Sequence, residues 1–285
     1  MKIENVQDFI RQIEDLPTLP DLYFKFREKI DDPKASANDV AKVISSDQAI
    51  ASAILRVANS AFYGFMRRIT NVPHAIVIIG FNGIHHIVLN MTVLNLFKGK
   101  NNICDFNIGK IWEHSLATAA IAKIIARKVN YSNLEESFTA GLLHDIGKVI
   151  IYKYLPQEFR EIIEEVKKSN IRIRDAEEKV IGVDHTDIGS CLLTEWNFPK
   201  SLVSAVAYHL NPFLAKENIQ IVSIVHLADI ISRALEIGDG GDSKIPLICE
   251  EAWNSLGMLV EDIDDIVSEV DSELDASSIF REFIK

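Results

Sequence analysis

The stretch D-Q-A-I-A-S-A-I-L-R-V at residues 47–57 decides how the rest of the chain is read. Asp47 is a good N-cap, and Ile50, Ala53, Ile54 and Val57 recur at i, i+3, i+4 and i+7, so their side chains line one face of a helix. The same period continues outward. Pro73 suits a first helical turn, residues 75–79 are apolar, and Gly80 is placed to end that helix. Asn82 can cap the next helix, expected to run to about Phe97. No sustained period-2 alternation bounded by turn residues occurs anywhere, so the expected fold is all-α.

The polar, turn-rich stretch 98–107, with Gly99, Asn101, Asn102 and Asp105, is the natural boundary between two helical lobes. Beyond it helices are expected over residues 112–128, 134–154, 156–168, 184–196, 199–209 and 220–237. Gly238, Gly240 and Gly241 mark a loop, and the tail that follows is acidic and amphipathic, with Val260, Ile263, Ile266 and Val267 at helical spacing. The expected organisation is an N-terminal helical lobe (1–100), a second helical lobe carrying a metal pocket (101–240) and an acidic helical segment (241–285).

Composition narrows the function. The chain has 285 residues, 48% of them hydrophobic, which is ample for a buried core. Its apolar run at 76–79 is interrupted by Gly80, Asn82 and Gly83, short of the roughly 18–20 residues that a bilayer span needs. Lys2, Glu4, Asp8, Arg11 and Glu14 are unlike a signal peptide's apolar core. A cytoplasmic protein without membrane association is therefore expected. Cys104, Cys191 and Cys249 are scattered and odd in number, which suggests neither a disulfide framework nor a zinc ribbon. A formal charge of -11 disfavours salt-driven binding to nucleic acid.

Four positions carry chemistry: His114 in W-E-H-S, the pair His144 and Asp145 in G-L-L-H-D-I-G-K, and Asp229 in H-L-A-D-I. Taken singly, each would be an ordinary core histidine or a capping aspartate. Together they lie in strongly apolar helical surroundings, where unpaired charge is expensive and a shared divalent cation removes the expense. Adjacent residues of a helix point about 100° apart, so His144 and Asp145 share one ion only if it sits over the helix flank. Gly141 and Gly147 bracket the pair and permit close approach of a neighbouring helix or a ligand.

The order H…HD…D resembles the metal signature of the HD superfamily, whose helical members are mostly metal-dependent phosphohydrolases. H-D-I-G-K, together with His185 in H-T-D-I-G and His209 in Y-H-L, resembles the extended ligand set of the HD-GYP branch. That branch hydrolyses cyclic dinucleotides, but Leu210, Asn211 and Pro212 stand where its remaining signature would be. A longer resemblance is to the HDOD domain. It runs through L-P-T-L-P at 16–20, I-S-S-D-Q-A-I-A-S-A-I-L-R-V-A-N-S-A-F-Y-G at 44–64, I-T-N-V-P-H-A-I-V-I-I-G at 69–80, D-H-T-D-I-G at 184–189 and W-N-F-P at 196–199. HDOD proteins are bacterial regulators tied to signalling. Many have lost metal ligands, and no general enzymatic activity is established for the family; this chain retains all six candidate ligands.

The resemblance implies a two-lobed HDOD fold with an HD-type bundle in the second lobe. It also implies one or two divalent ions (Fe, Mn, Mg, Ni or Zn). The first would lie on His114, His144, Asp145 and Asp229, the second on His185 and His209, with Asp145 able to bridge. Such ions can lower the pKa of water from ~15.7 to ~7 for attack on a phosphate. Asp145 would then be catalytic, and Lys148 could neutralise a phosphoryl oxygen unless it is an exposed helix-face lysine.

His185 could instead be a first-turn residue bonded to an acid, and His209 could simply favour a helix C-terminus. His226 could stand behind the ligands, whereas His85, His86 and His74 read as packing or helix-start residues. Asn59 and Ser60 can end a helix, with Phe62 and Tyr63 inserted between the lobes. Arg56, Arg67 and Arg68 could take a phosphate or an acidic partner, or form a solvated face. The leading expectation is a signalling module that binds another signalling protein or a nucleotide-type ligand. The alternative is a metal-dependent phosphohydrolase acting on nucleotides or cyclic dinucleotides.

Overall fold

A computed structural model describes residues 2–13, 16, 21–94, 96 and 106–283. Most of the L-P-T-L-P run, most of the expected boundary stretch and Cys104 lie outside them. The described residues form α-helices and short 3-10 turns, without β-strands. Grouped by contacts they make two compact units rather than three consecutive segments: Met1–Leu16 with Gly99–Val270, and Pro17–Lys98 with Asp271–Lys285. The first residues join the larger unit because α1 (Val6–Gln12) is tied to it, with the Ile3 N–H donating to the Ile181 carbonyl at 2.7 Å.

The smaller unit contains α2 (Asp21–Asp31), α3 (Ala37–Ser45), α4 (Gln48–Ala58) and α5 (Val72–Leu94). Asp47 caps α4 by accepting from the Ala49 and Ile50 N–H groups, and Ala53, Ile54 and Val57 are buried as the apolar period requires. Asn59 ends that helix. Its amide donates to the Ile69 carbonyl and its oxygen accepts from the Ile69 N–H, which closes the following loop. Phe62 packs edge-on against Phe280, and Arg56 pairs with Glu282 and lies over the Phe283 ring, all within this unit. Gly80 leaves helical geometry (φ 84°, ψ 163°), so α5 is two helical pieces joined by a kink. By length and composition α5 could cross a bilayer, but 61% of that stretch is buried inside the protein.

The larger unit is built on α6 (Ile108–Lys128), which is almost wholly buried. It packs against α7 (Leu134–Leu143) and against a later helix, residues 219–234. Next come α8 (Ile146–Tyr154), α9 (Pro156–Ser169), α10 (Ile173–Ile181), α11 (His185–Glu195) and α12 (Lys200–Tyr208). After them follow α13 (Ile219–Ala234), α14 (Glu250–Leu256) and α15 (Asp262–Ser277), whose residues from Asp271 on are grouped with the smaller unit.

The helix expected over 134–154 is two helices. His144 is the C-cap of α7 and Asp145, at φ -101° and ψ 16°, is the N-cap of α8. The pair therefore sits at a corner, free of the 100° constraint of a continuous helix. Both flanking glycines serve helix contacts. A Cβ on Gly141 would meet the Ala119 Cα at 2.7 Å, and one on Gly147 would meet the His185 carbonyl oxygen at 1.9 Å. No other residue permits that approach of α8 to the start of α11, and it brings His185 beside Asp145.

Candidate metal centre

All six candidate ligands converge in the larger unit, and each is almost completely buried. They arrive from five places: His114 from α6, His144 and Asp145 from the α7–α8 corner, His185 from the first turn of α11, His209 from the end of α12 and Asp229 from α13. On one side, His114 Nε2 lies 3.0 Å from Asp229 Oδ1 and 3.6 Å from Asp145 Oδ2. His144 Nε2 lies 3.3 Å from Asp145 Oδ2 and 3.7 Å from Asp229 Oδ1. On the other side, Asp145 Oδ1 faces His185 Nε2 at 3.3 Å and His209 Nε2 at 3.8 Å. Asp145 thus presents one oxygen to each group of histidines.

Each imidazole is held by its other nitrogen. His144 Nδ1 is 2.7 Å from the Gly141 carbonyl, His209 Nδ1 is 3.0 Å from the Val206 carbonyl, and His185 Nδ1 is 2.6 Å from Glu177 Oε2. Carbonyl and carboxylate oxygens only accept, so in these three rings Nδ1 is the donor and a neutral ring keeps its Nε2 lone pair for the interior. His114 Nδ1 meets the Ser232 hydroxyl at 3.2 Å. The four Nε2 atoms and Asp145 Oδ1 are buried without a hydrogen-bond partner; even the 3.0 Å approach of His114 to Asp229 lacks hydrogen-bond alignment. Such orphaned groups are rare in a folded interior.

The donor set fits a metal. Two ligand atoms ~2.1 Å from one ion, at right-angled or tetrahedral geometry, stand ~3.0–3.4 Å apart, which the shorter separations here match. The ligand atoms fall into two clusters that share Asp145: His114 with His144 and Asp145, and Asp145 with His185 and His209.

Electrostatics points the same way. Four carboxylates (Asp145, Asp229, Glu177 and Asp242) are buried here against two fixed cations, Lys148 and Arg233. Burial opposes ionisation of Asp145, but His144 and Lys148 overcome it and hold the carboxyl well below its usual range; Arg233 and His114 do the same for Asp229. Burial depresses His114 and pushes His209 far down. Burial would also lower His144, yet the Asp145 and Asp229 charges raise it to about 9.

Lys148 is not an exposed helix-face lysine. It is fully buried and donates to Asp145 Oδ2 at 2.6 Å and to the Gly240 carbonyl at 2.8 Å. Arg233, one turn after Asp229, donates from Nε to Asp229 Oδ1 at 3.0 Å. His226 lies behind the ligands, its Nδ1 2.7 Å from the His209 carbonyl and its Nε2 accepting from the Cys249 N–H. Glu177, Ser232, Arg233 and Asp242 escaped the sequence reading. Only Arg233, at helical i+4 spacing from Asp229, left a signal there. A cavity of about 660 Å³ opens beside the centre, walled by His114, Arg233, apolar residues of α9 and the loop 236–245.

The comparisons agree with this architecture. The chain is 27% identical to an HDOD domain protein of unknown function from Geobacter sulfurreducens, whose crystal structure superposes with a TM-score of 0.78 over 96% of this chain and 95% of that one. A candidate phosphohydrolase from Shewanella amazonensis SB2B shares the fold at 20% identity and a TM-score of 0.71, covering 97% of each chain. An uncharacterized protein of Treponema pallidum (strain Nichols) is 24% identical over 237 residues; these are 82% of this chain, which spans only 45% of that relative's length. The HDOD domain family matches residues 16–212, a span holding every candidate ligand except Asp229. With more than two thirds of its length in that match and its helical fold shared end to end, the chain belongs to the HDOD family.

Proposed function

We propose that this protein is an HDOD-type regulatory module whose larger unit holds divalent metal, and that it acts by binding a signalling partner or a nucleotide-type ligand. The observation that carries the reading is the convergence of four unpartnered imidazole Nε2 atoms and one unpartnered Asp145 oxygen on a sealed interior. A chain with no use for a cation would fill that space with apolar side chains, since unpaired buried polar groups destabilise it. His114, His144, Asp145 and Asp229 would hold one ion, and Asp145, His185 and His209 a second. Glu177 orients His185, and the Gly141 and Val206 carbonyls orient His144 and His209.

A regulatory role rests on family membership and on the closure of the centre. Lys148 and Arg233 occupy the two carboxylate oxygens that face His114 and His144, and all six ligand side chains are almost completely buried. The second reading, a metal-dependent phosphohydrolase, is favoured by the intact ligand set and the adjoining cavity. Bound metal supplies Lewis acidity toward a phosphoryl oxygen. In that reading Asp145 and Lys148 are the catalytic pair, and Lys148 would have to leave Gly240 to meet a phosphate.

Metal analysis of the purified protein, followed by hydrolysis assays against nucleotides, cyclic dinucleotides and model phosphodiesters with Mn, Fe, Mg and Ni, separates the two. The regulatory reading predicts bound metal and no turnover. Turnover abolished by Asp145→Ala in a protein that still folds selects the enzyme, and absence of metal under every loading condition overturns both.

A further inference from the structure

The loop 238–244 is fastened to the candidate centre and to the helix that carries His114. Gly238 (φ 76°) lies against α6 so closely that a Cβ there would meet the His114 nitrogen at 2.2 Å. The Asp239 N–H donates to the Lys110 carbonyl. The Gly240 carbonyl accepts from Lys148, and Asp242 Oδ1 stands 3.5 Å from Arg233 Nη1. The same guanidinium reaches the Lys244 carbonyl at 3.4 Å, and the second Asp242 oxygen accepts from the Ile173 N–H at 2.9 Å. This loop also walls the 660 Å³ cavity, which reaches His114 but none of the other five candidate ligands.

Both cations that fasten the loop are fastened in turn to the atoms a metal would need. Lys148 Nζ holds Asp145 Oδ2, the oxygen facing His114 and His144. Arg233 Nε holds Asp229 Oδ1, the oxygen facing the same two rings. A side-chain cation and a metal ion on one carboxylate oxygen repel each other across a few ångströms of low-dielectric interior. Whatever favours the ion weakens the hold of Lys148 and Arg233, and with it the hold on Gly240 and Asp242.

Resting on the metal-binding reading above, we propose that the loop 238–244 is a metal-responsive strap. Lys148 and Arg233 act as internal stand-ins for the ion. They keep the strap closed over the metal-free centre and release it when a divalent cation takes the Asp145 and Asp229 oxygens, which opens the centre to the cavity. Metal occupancy would thereby set whether the cavity and the centre form one site.

Hydrogen exchange on the full-length protein, with and without saturating Mn²⁺, tests this, with Mn²⁺ affinity measured calorimetrically on the same samples. The expected result is a ~10-fold or greater rise in amide exchange confined to residues 238–246 on metal loading. Lys148→Met removes a competing cation, so it is expected to bind Mn²⁺ at least ~10-fold more tightly than wild type. A lysine that merely supports the site would give weaker binding instead. If Lys148→Met does not fold, Asp242→Asn serves: its loop should exchange fast before Mn²⁺ is added and change little afterwards. Mn²⁺ binding with unchanged or slower loop exchange overturns the strap and leaves the metal centre standing. No Mn²⁺ binding at all overturns both.

Discussion

Two groups of histidines in this protein, half-buried or buried in one and fully buried in the other, meet opposite fates. In the smaller unit, His85 and His86 lie 5.5 Å apart between ring centroids, and His85 stacks on Tyr23, whose hydroxyl is 3.2 Å from its Nε2. Burial lowers the two rings to about 4 and about 3. In the larger unit, four almost fully buried rings are pinned through Nδ1 and aim Nε2 at Asp145 and Asp229. Burial alone therefore does not make a histidine a ligand. A fixed second nitrogen and an anionic neighbour do, because together they set the ring's direction and leave a charge for a cation to satisfy.

The comparison breaks most visibly at Asp145, the residue shared by both ligand clusters. Asp145→Ala is expected to weaken divalent-metal binding by more than ~100-fold and to leave Lys148 as an unpaired buried charge, at a cost of roughly 3–5 kcal/mol of stability. Calorimetric titration and thermal unfolding measure the two. His86→Gln, by contrast, should leave metal affinity within error of wild type.

A smaller effect sharpens the division inside the larger unit. Glu177 touches only His185 among the ligands, through both its backbone N–H and its ring. Glu177→Gln should weaken one metal-binding phase by ~10–100-fold and spare the other. Equal loss of both phases would show that the two clusters are not separate.

The smallest effect lies in acid. His85 and His86 titrate near 4 and 3 when folded against 6.5 when unfolded, so below pH 6.5 the unfolded chain binds more protons. Their contribution is complete above pH 6.5 and declines as the pH falls toward 4, by about 2 kcal/mol per histidine at pH 5. Thermal melts from pH 7.5 to 5 should show wild type losing more stability than His86→Gln. Parallel curves would contradict the assignment.

Much of this was legible in the sequence, for physical reasons that differ by residue. The Asp47 cap and the apolar period behind it are local, and α4 forms where they say. His114, His144, Asp145 and Asp229 stood out because polar groups inside apolar helices need a partner. The break at His144 and Asp145 was not legible, since apolar residues continue across it and the close approach of α11 to Gly147 involves a segment far along the chain. Glu177 reads as one more acid in a charged helix until folding sets it 2.6 Å from His185. Lys148 reads either as a phosphate-neutralising residue or as an exposed helix-face lysine; its burial and its bond to the Gly240 carbonyl come only with folding. What was lost in each case is a contact between segments far apart in the chain, or between a helix and a glycine-rich loop with no period of its own.

The central claim is that these residues hold metal at two positions joined by Asp145. An anomalous-difference map from crystals grown with Mn²⁺ tests it most directly. The account predicts one peak enclosed by His114, His144, Asp145 and Asp229, and a second by Asp145, His185 and His209. A map with no density there, and with Lys148 and Arg233 still seated on the two carboxylates at saturating Mn²⁺, would contradict it.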